Sequence, residues 1–229
     1  ELSWIEINNR IELFSDIEFV IAFKERNDNI KRDVSEKIKE IEKDYSLGDL
    51  FHIDFDITTW THLPRSDKKI FVFDSKACGL DLGPIDIRPR MPDVTKANLN
   101  WKELNDVCMH RLKALLSALP IEFLQGEELT NKAFLMSIAK NTLDITTWLH
   151  PYEARKLTSG YRARLKYWQD NFSSLKLSEY FSESDLTFLE RCLALRRNPY
   201  EPVNLYEMFA TCLRIFMKAI AYCKAMNDV

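Results

Sequence analysis

Glycine is scarce in this chain. It has 5 among 229 residues, about 2% where soluble proteins average about 7%. Neither G-x-G-x-x-G nor G-x-x-x-x-G-K-[ST] occurs, which excludes nucleotide folds that cradle phosphates on glycine loops. A surplus of positive charge is also missing. Lys plus Arg is 32 against 35 for Asp plus Glu, a net charge of −3, which disfavours long nucleic acid as a partner because phosphate binding needs basic excess. No run approaches the roughly 18 consecutive apolar residues of a membrane-spanning helix, so no membrane partner is expected. The five cysteines (Cys78, Cys108, Cys192, Cys212, Cys223) include no C-x-x-C pair, and neither they nor the four histidines cluster at zinc-ligand spacing. Reduced, mostly buried thiols are expected. No signal peptide is visible at the start as given, and a cytoplasmic location is expected.

Hydrophobic residues are plentiful, at 46%, enough for a core. The first half of the chain alternates. In residues 14–23, Ile17, Phe19, Ile21 and Phe23 fall on one parity and Asp16 and Glu18 on the other, which is the period of a strand with one buried face. Ile30, Val34, Ile38, Ile41 and Tyr45 then recur at helical spacing among charges, predicting an amphipathic helix over 30–45. Residues 51–58 alternate again, with Phe51, Ile53, Phe55 and Ile57 opposed to His52, Asp54, Asp56 and Thr58. A third short strand is predicted over 69–74. Gly79, Gly83, Pro84, Pro89 and Pro92 mark a loop and domain boundary.

From residue 100 the pattern becomes helical. Stripes run from Trp101 to Leu119 and from Phe134 to Trp148, the second ending at His150-Pro151. Further helices are predicted over 161–172, over 186–195 behind a cap cluster at 182–185, and from an Asn204 cap with Glu207 at its third position. The expected class is α+β: a small mixed-sheet domain over 1–98 followed by an all-α bundle over 99–229. The pentapeptide Asp-Ile-Thr-Thr-Trp occurs at 56–60 and at 144–148, once after a predicted strand and once in a predicted helix, and is read as coincidence.

Chemistry concentrates on the two acidic strands. Carboxylates at i and i+2 share a strand face, so neighbouring strands would gather Asp16, Glu18 and Asp54, with Asp56 one pleat away. Such a face is tolerated where it is solvated, neutralised by bases or bridged by divalent cations. Hard oxygen ligands suit Mg²⁺ or Mn²⁺. The plain alternative is the wet side of a half-exposed sheet.

Ser15-Asp16-Ile17-Glu18-Phe19, followed by a helix and then Ile53-Asp54-Phe55, resembles the nucleotidyltransferase superfamily that includes DNA polymerase beta. Within it the chain looks most like the small antibiotic-type nucleotidyltransferases that carry a C-terminal helical domain. The resemblance covers residues 10–95 by motif and the remainder by architecture. It implies that Asp16, Glu18 and Asp54 hold metal against a nucleoside triphosphate such as ATP, with Asp56 in reserve as the third acid, and that Ser15 lies against nucleotide. It also implies transfer of a nucleoside monophosphate to an acceptor hydroxyl, on a small molecule most readily, with release of pyrophosphate. The family carries a Gly-Ser turn before the acidic strand. No Gly-Ser precedes Ser15, and with Glu1 in place of an initiator Met the turn is expected upstream of this sequence.

In related two-domain enzymes a lysine of the helical domain reaches the triphosphate, a role that falls to Lys140 here. Its plainer reading is an i, i+4 ion pair with Asp144. Arg155, Lys156, Arg162, Arg164 and Lys166, interleaved with Tyr161, Tyr167 and Trp168, read as a solvated helix face with aromatics in the core, or else as a phosphate- or RNA-binding stretch. A second functional class stays open beside the enzyme: a catalytically inactive relative acting as a binding or regulatory module, favoured by the missing Gly-Ser. A sugar-transferring enzyme with an acidic metal motif accounts less well for the second acidic strand.

Overall fold

The structure is a computed structural model. It describes residues 4–7, 10–13, 17–25, 29–45, 53–125 and 132–227. It is mixed α and β and mostly helical. Strands β1 (Trp4–Ile7) and β2 (Arg10–Leu13) form an antiparallel pair. Strands β3 (Ile17–Phe23) and β4 (Ile53–Thr59) form a separate parallel pair. Helix α1 (Ile30–Tyr45) makes the crossover between them, as a parallel connection requires. Its apolar positions recur at helical spacing and its exposed face carries local ion pairs such as Lys37–Glu40 at 2.6 Å. Glu42 ties the crossover to the strand it leads into: its Oε1 accepts from the Ile53 amide at 2.8 Å.

The third strand expected over 69–74 is a helix, α2 (Ile70–Cys78). A short unbroken apolar run, Ile70-Phe71-Val72-Phe73, has no period that separates strand from buried helix. Tertiary contacts decide it. Ile70 and Val72 enter the main core, Phe71 and Phe73 pack against it, and Asp74 meets an arginine 90 residues away. Among the described residues the strands therefore form two separate pairs, not one mixed sheet.

Residues 79–100 hold only two short 3-10 turns, at Arg88–Arg90 and Lys96–Asn98, as the glycines and prolines predict. The helical part comprises α3 (Trp101–Ser117), α4 (Ile121–Leu124), α5 (Lys132–Glu153), α6 (Tyr161–Asn171), α7 (Glu183–Leu195) and α8 (Leu205–Asn227). Their N-terminal signals operate as read. Asn204 Oδ1 accepts from the Glu207 amide at 3.1 Å, and Ser182 forms a reciprocal capping box with Asp185. Helix α6 starts at Gly160, whose φ of +82° is open to glycine and strained for other residues.

Helix α5 is the hub and touches α3, α6, α7 and α8. Leu143, Ile145, Trp148 and Leu149 on it are fully enclosed, so it is buried on most sides where a surface helix would be one-sided. It passes through Pro151 and ends at Glu153, two residues later than the sequence suggests. Its last turn is held from outside: Lys96 Nζ donates to the carbonyls of Tyr152 at 3.1 Å and Ala154 at 3.2 Å. Glu153 accepts from the Leu177 amide at 2.6 Å and the Tyr222 hydroxyl at 2.7 Å. All five cysteines are free thiols; Cys108, Cys192 and Cys212 are buried, and burial pushes the Cys108 and Cys212 thiols up to about 12. No helix among the described residues is long and apolar enough to cross a membrane.

Candidate functional site

The parallel register sets the acidic face. Glu18 lies opposite Asp54, and Val20 opposite Asp56, so all four positions share one side of the pair. Glu18, Asp54 and Asp56 are exposed. Further along the same face Val20 and Ala22 pack against the helical core. The face is thus acidic and open near the strand starts, apolar and covered towards their ends. Thr58 lies opposite Ala22, and its Oγ1 is buried without a hydrogen-bond partner.

Register partners sit about 4.8 Å apart across neighbouring strands. Like charges placed so repel by roughly 0.2–1 kcal/mol, and a shared cation reverses the sign of that interaction. The donors are all carboxylate oxygens, the chemistry that suits Mg²⁺ or Mn²⁺. Among the described residues no group of three or more His, Cys, Asp or Glu is gathered closely enough to hold a metal ion. Asp16 and Ser15 lie outside the described residues. Lys140 belongs to neither strand. It is half-buried on α5, one turn before Asp144.

Comparison with protein-family models, curated proteins and solved structures found no match.

A second polar centre lies inside the helical part. Arg164, expected on a solvated face, is 1% exposed. Its guanidinium donates through Nη2 to both carboxylate oxygens of Asp74 at 2.6 and 2.7 Å, through Nη1 to Thr147 Oγ1 at 2.9 Å and through Nε to the Thr158 carbonyl at 2.8 Å. One nitrogen thus faces both carboxylate oxygens while the other two are satisfied by Thr147 and Thr158, a use of all three nitrogens that a lysine could not make. Burial nevertheless pushes the Asp74 carboxyl above its ordinary value, against the pull of Arg164, and the nearby Asp144 charge adds to the rise.

Asp144 is buried as well. It is not a solvent-facing partner: it accepts from the Tyr161 hydroxyl, and its Oδ2 lies 2.6 Å from Arg111 Nε. Burial, then the Asp144 charge, push the Tyr161 phenol well above its usual range. The Arg196 guanidinium stands over the Tyr161 ring at 5.2 Å. The other members of the basic stretch follow the solvated reading. Arg155, Lys156 and Arg162 are exposed, and Lys166 pairs with Asp170 at 2.9 Å one turn along. Sequence spacing does not reveal this centre, because its members come from α2, α3, α5, α6 and the end of α7. The one local hint was an arginine set among aromatics at 161–168.

Proposed function

We propose that the chain is a metal-dependent nucleotidyltransferase that moves a nucleoside monophosphate from a nucleoside triphosphate to an acceptor hydroxyl, releasing pyrophosphate. The observation that carries this reading is the register of Glu18 against Asp54 across a parallel pair joined by a helix. In this reading residues 1–98 form the catalytic domain and 99–229 the helical domain that closes over nucleotide and acceptor. The acceptor is a small hydroxylated molecule, and the net charge of −3 weighs against long nucleic acid.

Asp16 and Glu18 hold the metal with Asp54, and Asp56 is the reserve donor on the same face. Mg²⁺ or Mn²⁺ supplies, when bound, positive charge against the phosphate oxygens of the nucleotide. Asp54 orients the acceptor hydroxyl and takes its proton. Ser15 and Lys140 bind the nucleotide, Lys140 as a point charge for a phosphate oxygen.

The test is titration of the full chain with ATP, with Mg²⁺ and with EDTA, paired with a pyrophosphate-release assay over a panel of hydroxylated acceptors. ATP binding is expected to tighten with Mg²⁺, and that metal-dependent increment is expected to be lost in Glu18→Gln. Asp54→Asn should keep most of the nucleotide binding and lose at least about 100-fold in turnover, as expected when transition-state stabilisation is removed. Binding indifferent to Mg²⁺ and to Glu18 refutes the proposal. Metal-dependent binding with no pyrophosphate released from any acceptor points instead to a non-catalytic nucleotide-binding module.

A further inference from the structure

Among the described residues the buried charges of the helical part are paired with one exception. Arg164 faces Asp74, Asp144 faces Arg111, and Asp185 faces Lys218 and Arg214. Arg196 is 8% exposed, and among the described residues its side chain makes no ion pair or hydrogen bond, with Nε buried and unmatched. Its recorded contact is the Tyr161 ring. Arginine does not escape by losing its proton. A buried guanidinium without an anion is costly, and the negative end of α7, at whose C-terminus Arg196 sits, offsets only part of that cost.

A second guanidinium stands close by: Arg111, whose Nε pairs with Asp144 Oδ2 at 2.6 Å. Asp144 accepts from the Tyr161 hydroxyl and Arg196 stands over the Tyr161 ring, so the two guanidiniums approach the same Tyr161–Asp144 pair from α3 and from the end of α7. With Asp74, Asp144, Arg111, Arg164 and Arg196 counted, the centre carries one surplus positive charge. Two guanidinium donors arriving from separate helices suit a tetrahedral group with divergent oxygens, whereas a planar carboxylate is matched by the fork of a single arginine.

We propose that Arg196 and Arg111, at the Tyr161–Asp144 pair, form a binding site for a phosphoryl oxyanion. The site lies in the helical part and does not depend on the acidic strands or on metal. Its occupant is free phosphate or the polyphosphate tail of a nucleotide.

The test is thermal unfolding and calorimetric titration of the full chain in EDTA and chloride buffer at matched ionic strength, with inorganic phosphate, pyrophosphate and ATP as separate probes. Saturable binding that raises the melting temperature is expected. Preference for pyrophosphate and ATP over phosphate identifies a polyphosphate tail as the occupant; equal or better binding of phosphate identifies the free ion. Arg196→Met is expected to melt at or above the wild-type temperature without phosphate, because an uncompensated charge is removed, and to bind at least about tenfold more weakly. Arg111→Gln should weaken binding in the same direction. Lys166→Gln, on the solvated face of α6, should leave it unchanged, which separates this site from general surface charge, while EDTA separates it from the strand acids. No saturable binding, or binding untouched in Arg196→Met and Arg111→Gln, overturns the proposal. So does a large drop in the melting temperature of Arg196→Met without phosphate, which would make Arg196 a structural cap of α7.

Discussion

His150 is wholly enclosed near the end of α5. Both ring nitrogens lack a hydrogen-bond partner, and Tyr167 meets the ring edge-to-face at 5.0 Å. Burial first, then the charges of Arg164 and Lys96, push its pKa down to about 4. In the unfolded chain it titrates near its usual value of about 6.5. Between those values the unfolded state binds the proton and the folded state does not, so stability falls as pH is lowered through that window. From pH 7 to pH 5 the loss from this one group is about 2 kcal/mol. Urea unfolding of the wild type and of His150→Gln at both pH values checks it: the variant should lack this increment, and an equal acid loss in both would acquit His150. The sequence shows four scattered histidines with no catalytic companions, and that reading needed only spacing. That one of them is sealed in the core needed the third dimension. Arg164 makes the same point with a permanent charge. Its basic neighbours on α6, Arg162 and Lys166, are solvated, and Asp74, distant in sequence, is what turns Arg164 inward.

At the scale of elements, the same five residues take two forms. Asp-Ile-Thr-Thr-Trp is the end of β4 and its turn at 56–60, and the middle of α5 at 144–148. Asp56 is exposed and Asp144 buried; Trp60 lies under the Arg90 guanidinium at 4.4 Å and Trp148 is sealed. The flanking periods, alternating before residue 56 and helical around residue 144, were legible and gave both assignments. Helix α2 was not legible, because its apolar run is too short and too uniform to carry a period. Caps lie between these cases, since their signal is local. The Ser182 amide donates to Asp185 Oδ2 at 2.8 Å, and Asp185 also holds Lys218 on α8. Burial raises the Asp185 carboxyl, but the bonds from Lys218 and Ser182 outweigh it and hold the group below its ordinary value. Its contribution is therefore present at neutral pH and lost on acidification below about 3.9, a lower window than that of His150. Ser182→Ala is expected to cost about 1 kcal/mol, the worth of a cap. Asp185→Asn should cost about 3 kcal/mol, because it breaks the cap and a buried pair together. Denaturant midpoints of the two variants give the comparison, and equal costs would mean that the α7–α8 pair contributes nothing.

For the whole molecule, the question is where the fold divides. The acids sit on β3 and β4, yet the core of the helical part does not stop at residue 98. Leu63, Ile70, Val72, Met91 and Val94 belong to the same buried cluster as Leu104, Trp148 and Tyr222. Asp74 closes on Arg164, and Lys96 holds the end of α5. Proline and glycine punctuation at 79–92 marks a loop correctly, but a loop that lies against its core need not separate two independently folding units. Five apolar side chains of this size, at about 1.5–3 kcal/mol each, contribute on the order of 10 kcal/mol, comparable to the 5–15 kcal/mol that holds a whole domain together. A fragment of residues 99–229 would lose that burial and leave Arg164 as an unpaired buried charge, worth a further 3–5 kcal/mol or so. It is expected to lack a cooperative urea transition, whereas a fragment of residues 60–229 should unfold in one step with its midpoint near that of the full chain. If residues 99–229 alone melt cooperatively at the full-length midpoint, the segment from 60 to 98 is a passenger. If only the longer fragment does, α2 and the loop after it are part of the bundle, and the acidic strands are attached to that body through the covered end of their shared face.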